Sequence, residues 1–509
     1  MTGGAGRGMQ DSKGAGGMEK HDDAPQLRAL VRSREAELER RLAEWVRVPG
    51  ILGAPEHSQD LLRSANWLAA EFREVGFPVV EVLPTGDSHT VYAEWCQAPG
   101  APTVLVYSHH DVRAAKPENW ALTAPFEPVR REGRLYGRGS SDAKGQIMAH
   151  LEAIRAHLGV STGSSTGGST AGGSSTTDTA PRINLKFLIE GEEEGGSPNL
   201  AALLAEQAER FRADVVLFSD TLLWHASHPA VCVSLRGMLS VHLEVYGPER
   251  DVHSGAVSGN TPNPAFELGR LLGLMHDQEG RVAIPGFYDD VEPLPADLRN
   301  ALKDLPFSEE DWLARSETGA ITGEKGYTVL ERLWLRPAVE VTSIIAGDPL
   351  GVSRAAVPAV ASADLSFRTV PGQQLEKIPG QLQDWAAATI GDAYSYSLVP
   401  DLETAQEPYR TPDHPAVAAL EKAMVLGFGA DRTGRMGNAG GGPAELLSRT
   451  LGAPVLFFGT GLVEDHWHDS DESASLDVLM NGAATLACFW EELATMQGIG
   501  DDDDGHLRQ

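Results

Sequence analysis

Apolar positions recur along this chain with two periods, and the period switches several times. In residues 26–48, Leu27, Leu30, Val31, Leu38, Leu42, Trp45 and Val46 fall at helical spacing. They predict one long amphipathic helix. A second helix is predicted over residues 58–75, with Ser58 as its N-cap and Gly76 just past its end. The short apolar runs VVEVL, TVYAEW and TVLVY then read as strands, and residues 145–157 as a helix. The strand INLKFLI, the helix NLAALLAEQAERF and the strand DVVLFSD continue the alternation. Strand, helix and strand in turn predict an α/β fold with a mainly parallel sheet.

The pattern changes after Trp224. LSVHLEVYG alternates as a half-buried strand does, a helix follows at 264–275, and an irregular, acidic, proline-containing region occupies about 286–336. VPAVASADLSFRTVP alternates again. Strands with one solvated face and a packed helix predict a separate α+β domain over 236–405. From Thr411 the α/β pattern returns with HPAVAALEKAMVLGF, APVLFFG and a last long helix from Ser475. A smaller domain is therefore inserted into a larger one that comprises 25–235 and 406–498. The Ser/Thr/Gly tract at 159–182 reads as a mobile surface insert, and residues 1–24 and 499–509 as disordered tails.

Composition narrows the function. The 509 residues suit two domains, and 41% hydrophobic with 22% charged residues permits a sizeable core. A formal net charge of -30 argues against a nucleic-acid partner. No run is apolar enough for a membrane helix, and the glycine-rich N-terminus lacks the apolar stretch of a signal peptide. Three cysteines, Cys96, Cys232 and Cys488, lie far apart with no CxxC pair. They read as buried, inert thiols in a reducing compartment, so a cytoplasmic protein is expected.

The candidate chemistry sits where strands end, the usual ligand position in open parallel sheets. His109 and Asp111 follow TVLVY, two residues apart and so on one side of an extended segment. His110 faces the other way and reads as structural. Asp142 sits in the glycine-flanked turn of GRGSSDAKG, and Asp220 ends DVVLFSD. LIEGEEEGGS carries Glu190, Glu192, Glu193 and Glu194, and HWHDSDE carries His466 and His468 among carboxylates. A local ion pair, a helix cap, a solvated run or a turn would account for any one of these alone. Together they form a mixed imidazole and carboxylate set that suits zinc, manganese or cobalt.

In order and spacing, VLVYSHHDV, FEPVRREGRLYGRGSSDAKGQ, EGEEEGGS, SDT, DVHSG, SFRTVP and HDSDE resemble the dinuclear-zinc metallopeptidases. That family includes carnosinase, carboxypeptidase G, aminoacylase and succinyl-diaminopimelate desuccinylase, and the chain resembles its carnosinase-like dipeptidase branch over residues 26–497. The resemblance implies a zinc-peptidase catalytic domain with an inserted lid and dimerisation domain. It implies two divalent ions, zinc or else manganese or cobalt, one held by His109, Asp142 and Asp220 and the other by Asp142, Glu194 and His468. Asp111 would support His109, and Glu193 would be the general base acting on the water between the metals. His253 of DVHSG would stabilise the oxyanion, often from the partner subunit of a homodimer. Arg368 of SFRTVP would hold the substrate carboxylate. Glu190 matches the family pattern, and Glu192 reads as solvated. The loop RMGNAGGGP departs from the family's usual REGGSIP, which bears on specificity rather than on the metal chemistry.

The expected activity is hydrolysis of dipeptides or short peptides with a free C-terminal carboxylate, without membrane or nucleic-acid partners. An N-acyl-amino-acid deacylase or desuccinylase would use the same chemistry on another substrate. A non-catalytic metal-binding protein is the reading from a different class.

Overall fold

A nine-stranded mixed sheet organises the larger domain of the computed structural model, which describes residues 24–163, 180–294, 296–348 and 354–496. Both expected tails, apart from Ala24, and most of the 159–182 tract lie outside the described residues. The strand order across the sheet is Val79–Thr85, Ser88–Trp95, Asn184–Glu190, Thr103–His109, Val215–Phe218, Val455–Phe457, Ala230–Leu235 and Tyr409–Arg410, with Gly434–Asn438 also paired to Ala230–Leu235. The four in the centre, Asn184–Glu190 to Val455–Phe457, run parallel. Asn184–Glu190, Val215–Phe218 and Val455–Phe457 are buried at every position, as strands covered on both faces must be. The register pairs His109 with Glu190 and Tyr107 with Phe218, so three strand ends reach one edge together.

Helices cover both faces. On one side Leu476–Ala494 packs against Pro415–Phe428, Lys144–Gly163 and Ala24–Arg32, with Trp490 and Phe489 buried between them and the sheet. The other face carries Leu200–Glu206 and Ala444–Leu451. The inserted domain has a four-stranded antiparallel sheet in the order Ala338–Ala346, Val360–Thr369, Gly237–Tyr246 and Ser395–Gln406. Its alternate residues Leu239, Val241, Leu243 and Val245 meet the helices Pro264–Gly273 and Ile378–Thr389.

Several elements differ from the sequence reading. The expected helix over 26–48 is two, Ala24–Arg32 and Glu35–Val46. They part at Ser33, whose hydroxyl donates to the Leu30 carbonyl. Helix 199–211 likewise breaks at Gln207. Ser58 makes no capping bond, because a short turn at Pro55–His57 leads straight into the helix. Cys96 is exposed rather than buried.

The largest difference is in residues 286–336, which contain three helices: Ala296–Lys303, Glu309–Arg315 and Val329–Leu335. Ser308 caps the second by accepting from the Asp311 amide, and Thr328 and Glu331 form a capping box on the third. Leu302, Leu305, Leu330, Trp334 and Leu335 join the core of the larger sheet rather than that of the inserted one. Short helices with few apolar turns leave little periodic signal, so the region read as irregular.

Gly427 marks the tightest crossing in the helical layer. A Cβ there would lie 2.4 Å from the Thr485 amide nitrogen and 2.6 Å from its Cα, backbone that cannot step aside as a side-chain tip can. Gly427→Ala is expected to cost about 1–3 kcal/mol, the usual range for overpacking, seen as a lowered thermal midpoint.

Candidate metal centre

The parallel register brings His109 to the sheet edge, with Asp111 and the following turns closing round it. The His109 ring is buried. Its Nδ1 lies 3.3 Å from Asp111 Oδ1, and its Nε2 lies 3.1 Å from Asp142 Oδ1 and 3.7 Å from Asp220 Oδ1. Asp142 turns its other oxygen to the second histidine, with Oδ2 3.0 Å from His468 Nε2, which is also 3.2 Å from Glu194 Oε2. One carboxylate thus stands between two imidazoles. Ligand atoms of His109, Glu193 and Asp220 fall within 4.8 Å of one another, and so do those of Asp142, Glu194 and His468. Glu193 joins the first group in place of Asp142, which reaches His109 from the second. His466, two residues from His468, is exposed and stands outside both groups.

Charge on this edge is the main physical fact. Burial raises the pKa of Glu193 well above the carboxylate range, and Asp220 pushes it further. Burial raises Asp220 and Glu194 as well. Burial alone would depress His109, but Asp220, Asp111 and Asp142 outweigh it and hold its pKa well above normal. Hydrogen bonds from Asp142 and Glu194 lift His468 to about 10. Asp220 Oδ1 is buried without a hydrogen-bond partner. Buried acids gathered beyond what the imidazoles can balance, with nitrogen and oxygen donors converging, fit a pair of divalent cations.

Backbone geometry at the glutamates follows from their glycines. Glu193–Gly195 form one 3-10 turn, and Gly196 takes φ +85°, a left-handed conformation that favours glycine. The turn aims Glu193 and Glu194 inward, and the Glu194 amide donates to Asp111 Oδ2 at 3.1 Å. Glu192 is not solvated as expected: it is buried, and its carboxylate accepts from the backbone and side-chain amides of Asn199 at 2.9 and 3.0 Å. Glu190 is buried too, bonded by the hydroxyls of Tyr107 and Ser197, and burial pushes its pKa to about 8. His110 is structural, its Nε2 2.8 Å from the His89 carbonyl.

Three contributors were given no role of their own in the sequence reading, two of them, Asp465 and Glu472, counted only among the carboxylates around His468. Glu472 is fully buried and accepts from the amides of Gly139, Ser141 and Asp142 at 3.0, 3.1 and 3.1 Å and from Arg138 Nη1 at 2.8 Å. It thereby fastens the turn that carries Asp142 to the loop that carries His468. Asp465 makes a parallel tie, accepting from Ser141 Oγ at 2.5 Å and from Arg134. Arg113 donates from Nε to Glu194 Oε2 at 2.7 Å. The acid-rich HDSDE motif was the available signal for Glu472. Nothing local distinguished Arg113.

The cluster forms part of the lining of a cavity of about 490 Å³ shared by the two domains. Arg368, on the strand Val360–Thr369, lines it together with Gln406 and Asn438. No carboxylate pairs with Arg368 among the described residues, and burial lowers its pKa. Gly440 and Gly441 of the divergent RMGNAGGGP loop also face this space. His253 does not. It is exposed on the inserted domain, where Val252–His253 pairs with Ala356–Val357.

Two family models match the chain: peptidase family M20/M25/M40 over residues 105–164 and the peptidase dimerisation domain over residues 233–392. A human Beta-Ala-His dipeptidase is 26% identical over 471 residues, covering 89% of this chain and 90% of the relative. A cysteinylglycine-S-conjugate dipeptidase of Corynebacterium striatum is 28% identical over 429 residues, covering 82% and 87%. The crystal structure of human carnosine dipeptidase 1 superposes with a TM-score of 0.78 at 24% identity, covering 93% of this chain and 99% of that one, which shows a shared fold.

Removing the Glu472 tie should loosen the cluster without touching a ligand atom. Glu472→Ala leaves Arg138 and three amides buried without their acceptor. It is expected to cost about 3–5 kcal/mol, as for a broken buried ion pair, and to lower the metal retained after dialysis. Calorimetric unfolding and elemental analysis would measure the two effects.

Proposed function

Since the chain belongs to the M20 peptidase family and carries its dimerisation domain, we propose that it is a metal-dependent dipeptidase acting on short peptides with a free C-terminal carboxylate. The carrying observation is that Asp142 stands between His109 and His468, with Glu193 beside them, in the cavity that Arg368 also lines. His109, Asp142 and Asp220 would hold one ion and Asp142, Glu194 and His468 the other. The mixed donor set suits zinc, with manganese or cobalt able to replace it. Such ions supply, when bound, an acidified water and a polarised scissile carbonyl.

The side chains would do the rest. Asp111 fixes the His109 ring through Nδ1, leaving Nε2 to face the ions. Glu193 takes a proton from the attacking water and passes it to the leaving nitrogen, as a carboxylate held beside both metal-ligand groups can. Arg368, partly buried and without an acidic partner among the described residues, offers a planar fork to the substrate carboxylate. Buried Arg236 lies close enough to add positive charge there. The two curated relatives named above are dipeptidases, and no feature of the site favours a deacylase.

His253 would complete the site from a second copy of the chain. The matched dimerisation domain supports a homodimer, and so do exposed apolar residues on the inserted domain such as Phe266, Ile344 and Leu402. A reducing compartment such as the cytoplasm suits the three free cysteines. No helix among the described residues is long and apolar enough to cross a membrane.

Glu193→Gln should keep close to two ions per chain and lose about 10²–10⁴-fold in kcat, the span of a general base. Full activity in that variant would sink the mechanism. If His253 acts across the dimer, inactive Glu193→Gln and His253→Ala proteins, unfolded and refolded together, should regain about a quarter of wild-type activity. Half of the dimers would be mixed and each would hold one intact site. A mixture that stays inactive would place His253 outside the partner's site.

A further inference from the structure

We infer that the substrate carries a large apolar side chain, held against a hydrophobic wall that grows directly from the metal ligands. The inference rests on the dipeptidase reading above and names its substrate class. The cavity lining is of two kinds. Arg368, Gln406 and Asn438 are polar. Leu222, Trp312, Leu333, Val463 and Trp467 are apolar and partly exposed, so able to bury further area against a ligand, and Met238, paired in register with Arg368 and Gln406, adds a thioether beside the polar group. Leu222 lies two residues beyond Asp220, and Trp467 adjoins His468. The apolar surface therefore begins at the reacting centre.

Two of the wall's indoles are already hydrogen-bonded. Trp467 Nε1 donates to Ser141 Oγ at 2.8 Å, which removes its polar edge from the cavity. Trp224, which also lines the cavity, donates from Nε1 to the Pro306 carbonyl at 2.7 Å. Trp224 stands edge-on to Trp334, with ring centroids 5.2 Å apart. The Arg315 guanidinium covers Trp224 at 4.8 Å. A ligand side chain against these residues meets indole and aliphatic surface, with the indole N–H groups of Trp467 and Trp224 already bonded. A charged or amide side chain placed there would lose water and gain no partner. Trp312 and Leu333 come from the helices Glu309–Arg315 and Val329–Leu335, so this wall is built by the segment that returns from the inserted domain to the larger core.

The test compares kcat/KM of the metal-loaded enzyme on X-Ala and Ala-X dipeptides, with X as Leu, Phe, Met, Gly, Asp or Lys. At least about a tenfold preference for Leu, Phe and Met is expected in one of the two series, the scale on which apolar pockets discriminate. Trp312→Ala should reduce the Leu-over-Gly ratio at least threefold, and Trp312→Phe should restore it. Leu333→Asn should reduce it independently, should Trp312→Ala fail to fold. Profiles that are flat or favour Asp or Lys in both series would overturn the inference, as would ratios unmoved by the folded wall variants. Calorimetric binding of the same dipeptides to metal-loaded Glu193→Gln reads the preference without turnover. Apolar-selective binding with no cleavage by the wild type would sink the dipeptidase reading alone. Equal cleavage of polar and apolar dipeptides would sink the inference alone.

Discussion

Asp111, Asp142, Glu193, Glu194 and Asp220 are five acids gathered at one end of one sheet, where water is largely excluded. That crowding governs much of the rest. Carboxylates repel and resist burial, so a chain that gathers them needs positive charge at the same place. Two imidazoles and Arg113 supply part of it. The remainder matches the charge of divalent cations, which makes ion binding and the integrity of this edge a single physical problem.

The fold answers it with stiffness. Central parallel strands deliver His109 and Asp220 from a core buried on both sides, so neither can drift. Asp142 lies on an irregular turn and has no such scaffold. It is fixed instead by Glu472, whose carboxylate collects three backbone amides of that turn, and by Lys144, whose buried ammonium bonds the carbonyls of Trp45 and Val48. Acids that never touch a ligand atom thus hold the acids that would.

Much of this was legible in the sequence, for reasons that also explain the gaps. The residues that the structure brings together stood out in the sequence: His109, Asp142, Glu194 and Asp220 end apolar runs or sit in glycine-flanked turns, His468 belongs to the acid-rich HDSDE motif, and the order of the motifs joined them. The alternation of LSVHLEVYG and SADLSFRTV marked the second sheet because one face is packed and the other is not. Glu192 looked like the solvated member of an acidic run. Its burial depends on Asn199, seven residues on, and on a turn that periodicity does not encode. Arg113 and the lining tryptophans owe their positions to contacts distant in the chain, such as Trp224 with Pro306 and Trp334. The helices of 296–335 are too short to show a period.

That returning segment has a kinematic consequence. Trp312 and Leu333 share the larger domain's packing, whereas Arg368 and Met238 stand on strands of the inserted sheet. Any swing of the inserted sheet would carry the guanidinium away from the ligand cluster and leave most of the indole and leucine surface where it is. Recognition would then be divided in time as well as in space. An arriving molecule would first be sorted by its greasy end on a stationary surface, and its carboxylate would be clasped only when the moving sheet returned.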